Sequence, residues 1–539
     1  MAKKNKGSSF IKQAAILACA GLLVRVIGFL YRLPLTNMIG DEGNGIYSAG
    51  YYLYNFFLVM SSAGLPVAIS KMVAEKIALG QYTNARKTFK VSMVVAGVLG
   101  FICMVLMLAF AEDFCSWVKS ERSYYCIITL APTVFVVSIL SVYRGYFQGR
   151  GTTVPTAISQ IVEQIFNAVL SVYFAWLFMN VMGKGVEFGA AGGTAGTGIG
   201  ALAGLITIMV IYVLNAKRIN QSYGEDKKDY HVQTFGEITS DLFRIAVPVI
   251  TGTAIFSMTN LIDMVMVNSR LAATGIYTSD EIDALYGLLT GKYVTLTTLP
   301  VVISTSLATA AIPTIATSMV LKDTEAVKTK VDTTLRVTMI ISIPAAVGLG
   351  ALGDQILYML FPNYPDGGNL LKAGALSIIL LALSQISTGV LQGIGKAKAP
   401  AINALIGSVA KIPVNYVLIA VPSINIIGAV ISTTVCYLFA SLLNFRALVK
   451  TTGVKPDYVG MLVKPSIASV FMSLVCIFGY KLLYMLIPNN TAVTLMVIML
   501  AVLVYFAAMV LIKGFAREDL RMLPMGGRLI TLLERFGLL

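Results

Sequence analysis

The sequence predicts an all-α polytopic membrane protein with fourteen transmembrane helices, arranged as two parallel six-helix repeats followed by two extra helices. Three observations predict it. The chain is strongly apolar, its apolar runs recur at membrane length, and two short motifs recur at nearly one offset.

Hydrophobic residues make up 57% of the 539 positions and charged residues only 12%, with a mean hydropathy of +0.80. That balance excludes an ordinary soluble globular protein. The net charge of +15 does not indicate nucleic acid, because a nucleic-acid binder gathers its basic residues on a soluble domain and no long soluble segment exists here. Met1 to Ser9 carries Lys3, Lys4 and Lys6 ahead of the first apolar run. No short apolar core with a small-residue cleavage site follows, so this stretch reads as a retained tail.

A helix rises about 1.5 Å per residue, so about 20 apolar residues cross a bilayer. Runs of that length fall near 10–36, 46–70, 91–111, 124–147, 154–180, 189–214, 242–267, 288–314, 333–353, 369–391, 399–421, 425–446, 462–486 and 491–513. An even count puts both termini on one side. The even-numbered loops are basic, with Lys71, Lys76, Arg86, Lys87 and Lys90 in the first of them and Lys217, Arg218, Lys227 and Lys228 in the third. The odd-numbered loops are acidic or sparse, as at Asp41 and Glu42 or at Asp280, Glu281 and Asp283. The positive-inside rule then places the termini and the basic loops in the cytoplasm. The stretch Lys71 to Lys90 and the tail mix basic and apolar residues, which suits amphipathic helices on the membrane surface.

The repeat organises these spans. Ala63-Gly64-Leu65-Pro66 in the second span recurs as Ala310-Ala311-Ile312-Pro313 in the eighth, an offset of 247. Gln148-Gly149-Arg150-Gly151 recurs as Gln392-Gly393-Ile394-Gly395, an offset of 244. Spans one to six and seven to twelve therefore read as two copies of one unit, in the same orientation because six is even. The expected division is an N-terminal lobe over 1–216, an inter-lobe linker over 217–241, a C-terminal lobe over 242–450, spans thirteen and fourteen over 451–513 and an amphipathic tail over 514–539. Two such lobes enclose a central cavity that opens alternately to either side, which is the logic of a transporter.

Ionisable residues within spans are functional candidates because each is costly in lipid. Arg25 and Arg32 lie seven residues apart in the first span, on one face of a helix; Lys292 lies in the eighth. These three predict a cationic cavity suited to an anion, and guanidinium groups grip phosphate oxygens bidentately. Glu163, Asp263 and Lys411 carry two readings, ion coupling or internal ion pairs. Pro66, Pro313, Gln148, Gly149, Gln392 and Gly393 mark the repeated motifs and are expected to be structural or gating positions.

Other chemistries find no support. The six cysteines form no CxxC pair, so neither a metal site nor a disulfide framework is expected. The glycine cluster Gly189 to Gly200 lacks the GK[ST] ending of a phosphate loop and suits close helix packing instead. His231 sits in a polar loop as a solvated residue. No paired catalytic carboxylates appear, so the chain is expected to be neither an enzyme nor a cofactor binder, and energy would come from an ion gradient, the membrane potential or the substrate gradient.

The elements RVIGFLYR (Arg25 to Arg32), the AGLP and AAIP pair, RGYFQGRG (Arg144 to Gly151) and REDLRMLP (Arg517 to Pro524) resemble the polysaccharide-exporter branch of the multidrug/oligosaccharidyl-lipid/polysaccharide (MOP) superfamily. The resemblance is greatest to the stage V sporulation protein B and Gram-positive lipid II flippase group, and it covers essentially the whole chain. It implies MATE-like lobes with a cationic cavity, two extra helices that form a groove for a lipid tail, and a substrate of undecaprenyl pyrophosphate bearing sugars. Arg25 and Arg32 match the family's first-span arginines, and Lys292 stands where an eighth-span arginine is similar. The arginine pair is spaced one residue wider than in Gram-negative relatives, and Phe56-Phe57-Leu58-Val59 stands in place of their second-span arginines. Asp263 is similar to a seventh-span acid.

The function expected is therefore a flippase for a lipid-linked anionic oligosaccharide, with lipid II for peptidoglycan first among the substrates. Capsule, teichoic-acid or spore-cortex precursors are alternatives. The expected partners are that substrate, membrane lipids and cell-wall synthesis proteins, with no nucleic acid, in the bacterial cytoplasmic membrane. A cation-coupled multidrug exporter of the same architecture would call for an acidic cavity, and this one reads as basic. A ligase or polymerase of lipid-linked sugars would need a catalytic carboxylate in an outer loop, and Asp280, Glu281 and Asp283 show no supporting constellation.

Overall fold

The computed structural model describes residues 2–217, 230–309, 311–522 and 526–535, and among them all regular structure is helical. Arg218, Lys227 and Lys228 of the predicted linker, the side chains of Pro313, Lys3, Lys4 and Lys6, and parts of the predicted tail lie outside the described residues. Among the described residues eleven helices are long and apolar enough to cross a membrane, the first being the 60-residue run Cys19–Ala78. That run carries two of the predicted spans. The seventh and eighth predicted spans fall on Phe235–Ala273 and on the helix that continues from Ser279–Gly287 through Thr295–Thr309.

The chain divides into two compact units, Met1–Gly287 and Leu288–Leu539. The division comes later than the predicted linker, so the seventh span packs with the first six.

In the first unit, α1 (Ala2–Ser62) is a helical rod broken only at Gly40, where φ of 70° and ψ of −173° leave the helical region. A positive φ of this kind comes at little cost only to glycine. The predicted outer loop at Asp41 and Glu42 is thus a kink inside continuous helix. A second break at Ala63–Gly64 starts α2 (Leu65–Ala78), with Pro66 in its first turn. There its missing N–H is no loss. α3 (Tyr82–Ala109), α4 (Ala111–Val118), α5 (Tyr124–Gly149), α6 (Val154–Trp176) and α7 (Val186–Leu214) follow. The unit closes with α8 (Phe235–Ala273) and α9 (Ser279–Gly287).

The glycine cluster packs α7 onto α6. A Cβ at Gly192 would sit 2.8 Å from the Phe174 backbone, and one at Gly200 would sit 2.6 Å from the Glu163 carbonyl oxygen. Ser171 Oγ donates to the Gly193 carbonyl at 2.7 Å across the same seam. Small residues let two backbones approach where lipid supplies no hydrophobic drive.

Both repeated motifs are structural contacts inside their own units. In the first, a Cβ at Gly145 would lie 2.9 Å from Pro66 Cα and one at Gly149 would lie 2.8 Å from the Ser70 carbonyl oxygen, so the QG helix end seats on α2. In the second unit, Ile312–Val320 likewise begins with proline at its first turn, and a Cβ at Gly393 would collide with Ile312. The helices Tyr124–Gly149 and Gly368–Gly393 both end in a turn with a left-handed glycine, Gly151 at φ 79° and Gly395 at φ 80°. Gln148 is half-buried and Gln392 exposed.

The second unit opens on a π-helical stretch, Leu288–Val294, that runs into Thr295–Thr309. Its core gathers Val331, Leu335, Met339, Ile378, Ile386 and Leu448. Near the chain's end, Arg336 ion-pairs with the buried Asp519 and lies 3.5 Å from Asp457 and 3.9 Å from Asp332. This clamp ties the short helix Arg517–Met522 to Thr324–Ala351.

Candidate functional site

The first unit concentrates its polar chemistry along α1. Beyond the Gly40 kink, Tyr47, Tyr51 and Tyr54 recur at intervals of four and three, which places them on one helix face. Tyr47 and Tyr51 stack at 5.9 Å and Tyr51 and Tyr54 meet at 5.7 Å. Before the kink, the half-buried Arg32 brings its guanidinium carbon to 6.0 Å from the Tyr47 ring centre, in the range where a cation is drawn to a ring face. Tyr31, Tyr51 and Tyr52 are also in electrostatic reach of Arg32. Arg25, two turns earlier, is exposed. Arg32 thus stands in an aromatic slot, with donors whose fork suits phosphate oxygens.

Two of the predicted acids border this slot. Glu163 lies within electrostatic reach of Tyr51 and Tyr54, and Asp263 within reach of Tyr52 and Tyr286. Glu163 pairs with Arg144 at 2.6 Å, and Arg144 Nε also donates to Ser159 Oγ at 3.1 Å. α1 is joined to α8 by Asn55, whose Nδ2 donates to Ser257 Oγ at 3.4 Å.

The predicted lysines belong to the second unit. Lys292 sits in the π-helical stretch and is 1% exposed. Its Nζ donates to the carbonyls of Tyr364 at 2.6 Å and Asp366 at 3.1 Å and lies 5.6 Å from the Phe361 ring centre. Single π-helical turns inside α-helices are common at functional sites. Lys411 is buried on Lys398–Leu418, which continues as helix through Pro413.

Sequence reasoning missed the tyrosine ladder and one charged cluster. The ladder's signal was the YSAGYYLY spacing. The cluster is centred on Arg122, ahead of α5, whose guanidinium contacts Glu42 at 2.5 Å, Asp280 at 2.9 Å and Asp283 at 3.6 Å. Ser120 Oγ donates to Asp283 Oδ1 at 2.8 Å. Asp283 is 2% exposed, and burial pushes its carboxyl up to about 7 against the pull of Ser120 and Arg122. The helices cross here through glycines: a Cβ at Gly45 would overlap the Asp283 carbonyl, and one at Gly287 would overlap the Asp41 carbonyl. Glu281 instead accepts from the Thr278 backbone at 2.8 Å, capping α9. His231 is exposed and pairs with Glu237 at 3.1 Å.

These helices form the transporter fold of the MOP superfamily, a multi-pass membrane architecture shared with the solved structure titled "Lipid II flippase MurJ, inward closed conformation". The TM-score is 0.67 at 16% identity, over 92% of this chain and 98% of that one. The chain belongs to the family described as "Polysaccharide biosynthesis protein", which matches residues 10–319, and the MatE family matches residues 291–417. Stage V sporulation protein B of Bacillus subtilis (strain 168) is 28% identical over 97% of this chain and 99% of its own length. Lipid II flippase MurJ of the same organism is 27% identical over 83% of this chain and 84% of its own.

Proposed function

We propose that this protein is a flippase that moves an undecaprenyl-pyrophosphate-linked glycan precursor from the inner to the outer leaflet by alternating access, with lipid II as the first candidate substrate. The observation that carries the reading is Arg32, a half-buried guanidinium on an apolar span, set against a tyrosine ladder. An arginine at membrane depth costs at least about 2.5 kcal/mol, which a functional anion site offsets. The relatives' names support the substrate class.

In this reading Arg25 and Arg32 of the first unit bind the pyrophosphate, and Lys292 is the substrate-binding cation proposed for the second unit. Asp263 serves coupling, while Glu163 and Lys411 act as internal charges of their units. The fourteen-span topology has both termini and the basic loops in the cytoplasm. Two six-helix lobes related by the repeat are supported by the matching proline-start helices and left-handed glycines. The outer loops, with the Arg122 cluster, then face the exterior.

The test is complementation. Arg25→Ala, Arg32→Ala and the double variant are expressed in cells depleted of their own lipid II flippase, with membrane levels checked. Loss of rescue by Arg32→Ala is the expected result, and rescue equal to the parent protein's would overturn the mechanism. A parent protein that rescues nothing here but restores capsule or spore-cortex assembly would shift the substrate within the lipid-linked class. Robust efflux of organic cations would instead favour a multidrug exporter.

A further inference from the structure

A second polar site lies in the first unit, away from the Arg32 slot. A cavity of about 770 Å³ opens where the end of α2, the start of α3, the segment 230–234 and the start of α8 meet. Lys71, Lys76 and Arg244 bring three cations to its wall, against Glu75 and Asp241. Lys71 and Arg244 are exposed, and Lys71 keeps Glu75 at 3.9 Å.

Lys76 is the unusual member. It is 7% exposed, and its Nζ donates to Thr88 Oγ1 at 2.5 Å. Among the described residues no carboxylate oxygen lies within 4.0 Å of it. A buried ammonium is normally paired or neutralised, because burial without a counter-charge is expensive. Burial brings the Lys76 ammonium down to about 8, with Asp241 and Glu75 pulling it back up. A charge held this way, lining an open cavity, calls for an anion.

We propose that this cavity binds a phosphoryl anion, with Lys76 as its buried ligand and Lys71 and Arg244 closing on it from α2 and α8. The class follows from the chemistry of the wall. Two lysines present compact, strongly hydrated point charges and one arginine a planar fork, the mixture that suits tetrahedral oxyanions. The site lies on the face proposed as cytoplasmic, where the two sources of such a group are an anionic lipid headgroup and a free phosphate ester.

Occupancy would also bear on the chain's connection into α8. Asn84 Nδ2 donates to the His231 carbonyl at 2.9 Å, the Gln233 N–H donates to Asn84 Oδ1 at 3.0 Å, and Lys87 Nζ donates to the Gln233 carbonyl at 3.4 Å. An anion bridging Lys76 and Arg244 ties α2 to α8 across that segment. The proposal does not depend on the flippase reading.

The experiment measures acetylation of Lys76 by limiting acetic anhydride in the full chain in nanodiscs, with exposed Lys322 of the second unit as internal reference and mass spectrometry as readout. One arm adds inorganic phosphate to discs of phosphatidylcholine, balanced with potassium chloride for ionic strength. The other replaces phosphatidylcholine by phosphatidylglycerol without phosphate. Saturable slowing of Lys76 relative to Lys322 by about fivefold or more in either arm is expected, and the arm that shows it names the source. The protection weakens as pH rises above about 8, because the anion favours the protonated amine. Arg244→Gln, at an exposed position, should shift half-protection to several-fold higher anion while thermal stability stays unchanged. Unchanged Lys76 labelling in both arms would overturn the proposal, as would equal protection in the Lys71→Gln/Arg244→Gln double variant.

Discussion

Asp283→Asn keeps the side-chain volume and the oxygen that accepts from Ser120, and removes only the charge. The parent carboxyl is raised from 3.8 to about 7, chiefly by burial. A carboxyl with a folded pKa above its unfolded one binds its proton more tightly in the folded state, so its contribution to stability is fully present at low pH. It is lost as pH rises from about 4 to about 7. At about 1.36 kcal/mol per unit the whole loss is about 4 kcal/mol, of which about 3 kcal/mol falls above pH 5. Arg122 and Glu42 are already counted in that value, and Asp280, which pairs with Arg122, is the other charge facing the site. The assay is thermal unfolding of purified full-length protein and variant from pH 5 to 8.5. The parent's melting temperature should fall through this window relative to Asp283→Asn, and the variant should be the more stable above pH 7. Parallel profiles for the two proteins would refute the assignment of a buried, raised carboxyl.

Three further outcomes follow from named contacts. Gly45→Ala drives a Cβ into the Asp283 carbonyl and should cost about 3 kcal/mol or more in thermal stability, whereas Gly21→Ala, with nothing within 4 Å, should gain up to about 1 kcal/mol from helix propensity. Arg336→Gln leaves Asp519, 1% exposed, without its guanidinium at a cost of about 3 kcal/mol. Trypsin should then cut at Arg517 and Arg521 faster than in the parent, and lower pH should slow it again because burial already raises the Asp519 carboxyl. Glu163→Gln strips Arg144 of its carboxylate and should cost about 1–3 kcal/mol, while the Arg144→Met/Glu163→Met double variant should recover most of that in a double-mutant cycle.

Much of the fold was legible because lipid imposes simple rules. Membrane-length apolar runs predicted the helices, glycine clustering predicted close helix packing without naming α6 as the partner, and the repeated motifs proved to be paired contacts within each unit. The kink at Gly40 was not legible, since a charged turn read as a loop where the chain stays helical on both sides. Of the candidate site, Arg25, Arg32 and Lys292 stand out in sequence because ionisable residues are rare in apolar runs. The tyrosines that surround Arg32 do not, because aromatic residues are common in any span. The Arg122 cluster joins positions 42, 122, 280 and 283, which nothing in local patterning links.

The sequence by itself determined that this chain crosses the membrane many times, that its class is helical, and which few charges its spans hold, since composition and period alone decide those. Only the tertiary structure decided partnership. It set Arg32 against Tyr47, gave Glu163 to Arg144, caged Lys292 with backbone carbonyls and left Lys76 buried beside a cavity with a hydroxyl for company. The physical reason is that the energy of a buried charge depends on what stands within a few ångströms of it, and that distance is set by helix packing between segments far apart in the chain.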